Sequence, residues 1–314
     1  MIWKILRRGE DGTGILYERV KMGQAISNES KGTIAIIAAA LFWGFEFVVE
    51  KDVLYHIDPN WSNAIRFFIS SLIIIGIWNK KFKSATKEDW KQGLFCGGIM
   101  GLGYAFQTMG LETINAGVNA FLCVAYIVII PFLVWFIKKI RPNKLVFISA
   151  IIAIAGVSIM SLEGLTLGEF SIGKGEVLTL VGSIFYAGGI VSVEYYAKSM
   201  DSLLFAGIQC VATFGVSIIF ALIIESPPTY FDSILFWEFV YLIVFASILT
   251  QIMFTYGMKY VSSHRASILF LLESISAIIF GRVMLNEKIR INQIIGAILI
   301  IIAIILTNRT EEES

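Results

Sequence analysis

The sequence predicts an all-α integral membrane protein of ten transmembrane helices, built as two inverted five-helix repeats. Three observations carry this. The first is composition: of 314 residues, 57% are hydrophobic and 16% charged, and the mean hydropathy is +0.77, whereas about 25% of a soluble domain is charged. The second is segment length. Apolar windows of roughly 20 residues, enough to cross a hydrocarbon core, fall at about 33–50, 60–78, 92–111, 117–137, 145–161, 175–195, 203–224, 237–256, 265–285 and 292–307. The third is duplication. The polar hinge Lys139-Ile140-Arg141-Pro142-Asn143 returns 149 residues later as Lys288-Ile289-Arg290-Ile291-Asn292, with four identities in five positions. Upstream, Thr108 and Thr255, Gly110 and Gly257, and Leu122 and Leu269 stand 147 residues apart, so a two-residue slip lies between. Self-similarity at half the chain length means a duplicated unit.

Residues 1–31 are mixed and Gly-containing, without an apolar run that would serve a signal peptide, and are expected to form a loose cytosolic tail. Met22, ten residues before the first apolar segment, is an alternative start. The first repeat then covers 32–161, an extracytoplasmic loop 162–174, the second repeat 175–307 and a short cytosolic tail 308–314. Orientation follows from Lys and Arg, which cytoplasmic loops retain in excess. With the amino terminus inside, nineteen cations are cytosolic, five of them in the 79–91 loop and four in 138–144. Only Lys51, Lys174, Lys288 and Arg290 fall outside, while Arg66 and Arg282 lie within spans. Five helices per repeat is an odd number, so the second copy enters the membrane upside down. The hinges agree: the first, inside, is strongly basic, whereas the second, outside, carries Glu287 close to where the first has Lys138. Inverted repeats are typical of alternating-access carriers.

Several chemistries are excluded or disfavoured. A net charge of +1 offers nucleic acid no electrostatic footprint. Cys96, Cys123 and Cys210 lie inside apolar segments without metal-ligand or disulfide spacing and read as small packing residues. His56 and His264 are far apart, which removes HExxH-type metal chemistry, and no Walker motif or phosphorylatable Asp site indicates direct ATP drive. No cofactor is expected.

Charges within spans are the informative residues, because an ionised side chain at mid-bilayer costs at least about 2.5 to 3.5 kcal/mol and usually faces a cavity or a partner. Glu46 lies roughly 20 Å from the inner end of its helix and Arg66 roughly 10 Å below the outer end of the next. The depths coincide, so the two form either a structural ion pair or part of a gate or substrate contact. Glu50 and Arg282 sit near the outer boundary, where pairing or snorkelling accounts for them. Glu273 matches no cation in depth and shares a face with Ala266, Ala277 and Gly281, small residues that turn it toward other helices. An unpaired buried carboxyl of this kind is neutral at rest, exchanges a proton, receives a substrate amine, or hydrogen-bonds a neighbour such as Gln251. Trp43 shares a helical face with Glu46 and Glu50, and a wall of Trp and Glu suits an amphipathic or cationic solute. Gln107, Asn119, Gln209 and Gln251 are polar candidates for pore lining or interhelical bonding. Tyr126 joins Glu273, Glu46, Arg66, Trp43, Gln107 and Gln251 as a candidate for substrate binding or gating. Gly93, Gly97, Gly101 and Ala105 make one bare helix face for close packing, and Pro131 removes a backbone hydrogen bond from the fourth span.

The Trp43-Gly44 pair, the Gly110-Leu111 and Ala116-Gly117 entry to the fourth span, Pro131, and Leu285-Asn286-Glu287 at the end of the ninth occur in that order along the chain. In these features the chain resembles the EamA-type family of the drug/metabolite transporter superfamily, over essentially 33–307. It departs from the family's pattern at Lys138, where the first repeat often has Glu, and at Ser274 to Ala277, which lacks a counterpart of Pro131. The resemblance implies a ten-helix carrier in a prokaryotic plasma membrane, exporting amino acids, related metabolites or drug-like compounds. With it comes the reading of a secondary transporter, not an enzyme, whose partners are a small-molecule substrate, the bilayer and a coupling proton. A passive facilitator or lipid flippase on the same scaffold is the alternative, with an intramembrane enzyme further off.

Overall fold

A computed structural model describes residues 13–139, 141–160, 173–261 and 263–311. Each expected apolar window corresponds to a helical segment. The first repeat comprises α1 (Thr13–Val53), α2 (Pro59–Ile77), the short α3 (Asn79–Lys83), α4 (Lys87–Leu111), α5 (Ala116–Cys123), α6 (Tyr126–Lys138) and α7 (Lys144–Met160). The second comprises α8 (Lys174–Tyr196), α9 (Ser202–Ile224), α10 (Ser233–Tyr241) running through a π-helical stretch (Leu242–Leu249) into α11 (Thr250–Tyr260), α12 (Ser263–Met284) and α13 (Ile291–Glu311). α5 with α6 makes the fourth span; α10 with α11 makes the eighth. Seven segments are long and apolar enough to cross a membrane on length and composition, and Lys144–Ile159 and Ile291–Leu306 are shorter apolar helices. Helical backbone begins at Thr13, within the stretch expected to be a loose tail. No proline interrupts 13–53, and lengthening a formed helix costs far less than nucleating one. Residues 1–12, most of the 162–174 loop and the last three residues lie outside the described residues.

Helix ends are set by local chemistry. Thr86 and Asp89 form a capping box at α4. Asp201 and Asp232 accept backbone N–H groups at the starts of α9 and α10. Lys81 reaches Asp201 at 2.6 Å. Partial burial opposes ionisation of Asp201, but Lys81 and the N–H groups of Leu204 and Leu203 win and hold its carboxyl below the usual range. At the other end of the bundle, Lys51 Nζ donates to the Leu111 and Glu112 carbonyls (2.8 and 2.9 Å) at the negative end of α4. Glu225 accepts from the backbone N–H groups of Asn60 and Trp61 at the start of α2.

The two repeats interlock. Gly110 of α4 lies against Gly175 and Thr179 of α8, and Gly257 of α11 lies against Gly32 and Ile36 of α1. Gly110 and Gly257 are 147 residues apart, as are Gly32 and Thr179. The same contact is therefore made twice with the halves exchanged, as a two-fold axis requires. Every other helix in a bundle points the same way, so copies five spans apart are antiparallel. The repeats are inverted. The slip is also located: Lys139 and Asn286, 147 apart, are the non-glycine residues with positive φ (59° and 54°). Each ends its helix in the left-handed conformation, so the extra two residues enter after Asn286, and Glu287 is the first of them.

The glycine face of α4 packs against α9. A Cβ on Gly97 would stand 2.6 Å from the Gln209 Cα, and one on Gly101 would stand 3.0 Å from the Thr213 Cα. The fourth span is interrupted at Val124-Ala125, where short-range bonds run from Ala125 N to Leu122 O (3.2 Å) and from Ile127 N to Val124 O (3.1 Å). Pro131 lacks the N–H that would reach Ile127, and its ring crowds that carbonyl. The matching position 147 residues on is Ile278, and α12 runs unbroken.

Candidate functional site

At mid-depth, where the interlocked halves meet, lies a narrow cavity of about 40 Å³. Much of its lining comes in pairs separated by 147 residues: Trp43 with Ile190, Gln107 with Phe254, Cys123 with Phe270, and Tyr126 with Glu273. The cavity thus sits on the two-fold relation between the repeats. Glu46, Phe47, Met100, Tyr104 and Tyr186 complete its wall. Gly44 explains the Trp-Gly pair in the first span. A Cβ there would lie 2.6 Å from the Glu273 carbonyl oxygen, so its absence lets α1 close on α12 and turns Trp43 and Glu46 toward Glu273.

Behind Glu46 sits the ion pair that matching depths predict. Arg66 Nη1 lies 2.5 Å from Glu46 Oε1 and 3.4 Å from Glu50 Oε2, and the three residues are 1%, 6% and 2% exposed. The guanidinium also stacks over Phe67 and Tyr104, 4.7 and 5.1 Å from the ring centres. Arg66 accordingly stands behind the wall and holds Glu46 against the cavity. Among the described residues, Glu46 Oε2 has no hydrogen-bond partner, nor does Trp43 Nε1.

Glu273 is 7% exposed and has no hydrogen-bond or ion-pair partner among the described residues. Its neighbour is not Gln251, whose Nε2 donates to Gln209 Oε1 at 3.1 Å. Gln251 is thereby removed from the cavity wall, where its length and polarity had placed it as a candidate. Gln107 is held rigidly: its Nε2 donates to Asn119 Oδ1 (3.1 Å) and its Oε1 accepts from Tyr186 OH (3.2 Å). Asn119 donates in turn to Thr179 Oγ1 at 2.7 Å. Trp43 packs against Phe254 and Phe270, with ring centres 5.4 and 5.7 Å apart, and Tyr126 meets Phe270 at 6.5 Å. Phe47, Met100, Tyr104, Cys123, Tyr186, Ile190, Phe254 and Phe270 are the wall residues that local reading of the sequence misses. The 147-residue register offered a signal for Phe254 and Phe270, since it carries Gln107 and Cys123 onto them. Among the described residues no group of three or more His, Cys, Asp or Glu is arranged to hold a metal.

The sequence profile of the EamA-like transporter family matches residues 30–162 and again 173–309. An uncharacterized transporter of Archaeoglobus fulgidus is 26% identical over 279 residues, covering 88% of this chain and 85% of its own. The uncharacterized transporter YoaV of Bacillus subtilis is 23% identical, over 89% and 97%. A WAT1-related chloroplast protein of Arabidopsis thaliana is 24% identical, over 88% of this chain and 69% of its own length. A solved crystal structure superposes with a TM-score of 0.63 at 16% identity, covering 91% of this chain and 99% of that one, a likeness of fold.

Proposed function

Since this chain belongs to the EamA-like transporter family, a family of transporters and not of enzymes, we propose that it is a secondary carrier that exports small metabolites by alternating access. The class of cargo is amino acids, related metabolites or drug-like compounds. The observation that carries this reading is a cavity lined by matched positions of two inverted repeats. With such symmetry, an exchange of roles between halves converts an opening on one face into an opening on the other. Glu46, Trp43, Tyr126, Gln107 and Glu273 are assigned to substrate contact, with Arg66 positioning Glu46. No covalent step is involved. Reconstituted protein should carry out counterflow of a labelled cargo, and an imposed pH gradient should drive net uptake. Counterflow without any response to the gradient is the outcome for a passive facilitator.

The proposed setting is the plasma membrane with both termini cytosolic. Cysteine at Ser233, exposed at the start of α10, should react with an impermeant thiol reagent applied outside intact cells. Cysteine at Ser84, exposed after α3, should react only after permeabilisation, and the reverse pattern would invert the orientation. Ser171, in the connecting loop, is a further expected external position that lies outside the described residues.

A further inference from the structure

Building on that transport reading, we infer that the central cavity selects an amphipathic organic amine in its cationic form over a zwitterionic amino acid or an organic anion. The charge inventory is one-sided. The wall carries two carboxyls, Glu46 and Glu273, and no Lys, Arg or His. The nearest cation, Arg66, is committed to Glu46 Oε1 and Glu50 Oε2 and stacked on two rings. Glu50 is spent on that same guanidinium, so Glu273 is the carboxyl left without a counter-charge among the described residues.

Hydrogen-bonding capacity points the same way. Glu46 Oε2 is buried without a donor, and the Glu273 carboxyl faces the cavity without one. An ammonium carries three donors and no acceptor, which is the complement of this pair of acids. A substrate carboxylate would find no cation, only neutral donors: Trp43 Nε1, without a partner among the described residues, and the second hydrogen of a Gln107 amide that makes one bond at each end. Burying a carboxylate without a counter-charge costs far more than burying an amine beside one. Most of the remaining wall is aromatic. Trp43, Phe254 and Phe270 cluster with ring centres 5.4 to 6.0 Å apart, which suits both an apolar ring and a cation held against a π-face.

The experiment holds the apolar body constant and varies the charge. Purified full-length protein is titrated with phenethylamine, N-acetylphenethylamine, phenylalanine and hydrocinnamate, which are cation, neutral amide, zwitterion and anion. The same four compounds are then followed in counterflow into vesicles. Phenethylamine is expected to bind at least about tenfold more tightly than the other three, since a charge-assisted hydrogen bond is worth roughly that much. Glu273→Gln should weaken the amine by about 10- to 100-fold while moving the amide less than about threefold. Glu273→Asp should keep the preference, and unchanged amide affinity in both variants reports an intact cavity. Equal affinity for amine and amide, a preference for phenylalanine or hydrocinnamate, an amine affinity indifferent to Glu273→Gln, or no binding up to about 10 mM would each overturn the assignment. The transport reading fails separately. Amine bound with the expected preference but not exchanged across the vesicle refutes carriage and leaves the site standing. Counterflow of phenylalanine in preference to the amine keeps carriage and overturns the substrate class.

Discussion

Replacing Arg66 with Met is expected to destabilise the protein by about 3–5 kcal/mol, the range for removing one member of a buried ionic group. The guanidinium is 1% exposed and bridges two carboxylates that are 6% and 2% exposed, so its loss strands two acids in a low-dielectric interior. Those acids must then pick up protons or draw in water. The cost resides in the leftover partners, and that makes the test sharp. A triple variant with Met at 66 and Gln at both 46 and 50 removes the stranded charge and should recover most of the loss, because whole buried ionic groups are replaceable at little cost in stability. The measurement is thermal unfolding in detergent, with monodispersity as a second reading. If the single and triple variants are equally unstable, Arg66 contributes through its packing on Phe67 and Tyr104 and not through charge. Transport is a different matter. The triple variant should be inactive although stable, since Glu46 faces the cavity.

The second large effect separates two glycines related by the duplication. Gly110→Ala is expected to cost about 1–3 kcal/mol or more, and Gly257→Ala less. At Gly110 the added Cβ would meet backbone, the Gly175 carbonyl oxygen at 2.6 Å. Moving that oxygen means separating α4 from α8 over their whole crossing. At Gly257 the nearest atoms are the Cγ1 and Cδ1 of Ile36, at 2.5 Å, with the Gly32 carbonyl oxygen at 3.1 Å. An isoleucine rotamer change relieves much of that clash. Unfolding midpoints of the two variants, side by side, check the order. A larger loss at Gly257 would mean that the Ile36 side chain cannot give way and that the backbone contact at Gly110 can.

The architecture was legible because lipid imposes it. Span length, the sign of the loops and the repeated hinge are read directly from residue order, and the depths of Glu46 and Arg66 follow from counting along helices. Which helix faces which is another matter. A glycine such as Gly110 announces a close approach but does not name its partner, and nothing local says that α4 crosses α8 of the other half. For the same reason Gln251 stood open between pore lining and interhelical bonding: a polar side chain within a span serves either, and this one meets Gln209. Aromatic residues in membrane helices carry no mark of their orientation, so Tyr104 and Tyr186 were invisible. The π-helical stretch has no counterpart in the regular helix of α4 and no local sequence signal. Pro131 predicted a weakness in the fourth span, and the interruption lies at Val124-Ala125, N-terminal to the Ile127 carbonyl that the ring crowds.

That interruption gives the cavity two jaws of unequal stiffness. Cys123 and Tyr126 flank a break with only short-range bonds across it, so this jaw flexes by local torsion, as a hinged rod does. Phe270 and Glu273, their counterparts in the repeat, ride on an unbroken helix and move only as a beam moves, whole. On the proposed reading, a cargo would meet its charge partner at a fixed anchor while the opposite wall yields to its bulk. Compliance on one side and rigidity on the other let a single pocket be exacting about where a charge sits and lenient about the size and shape of what is attached to it.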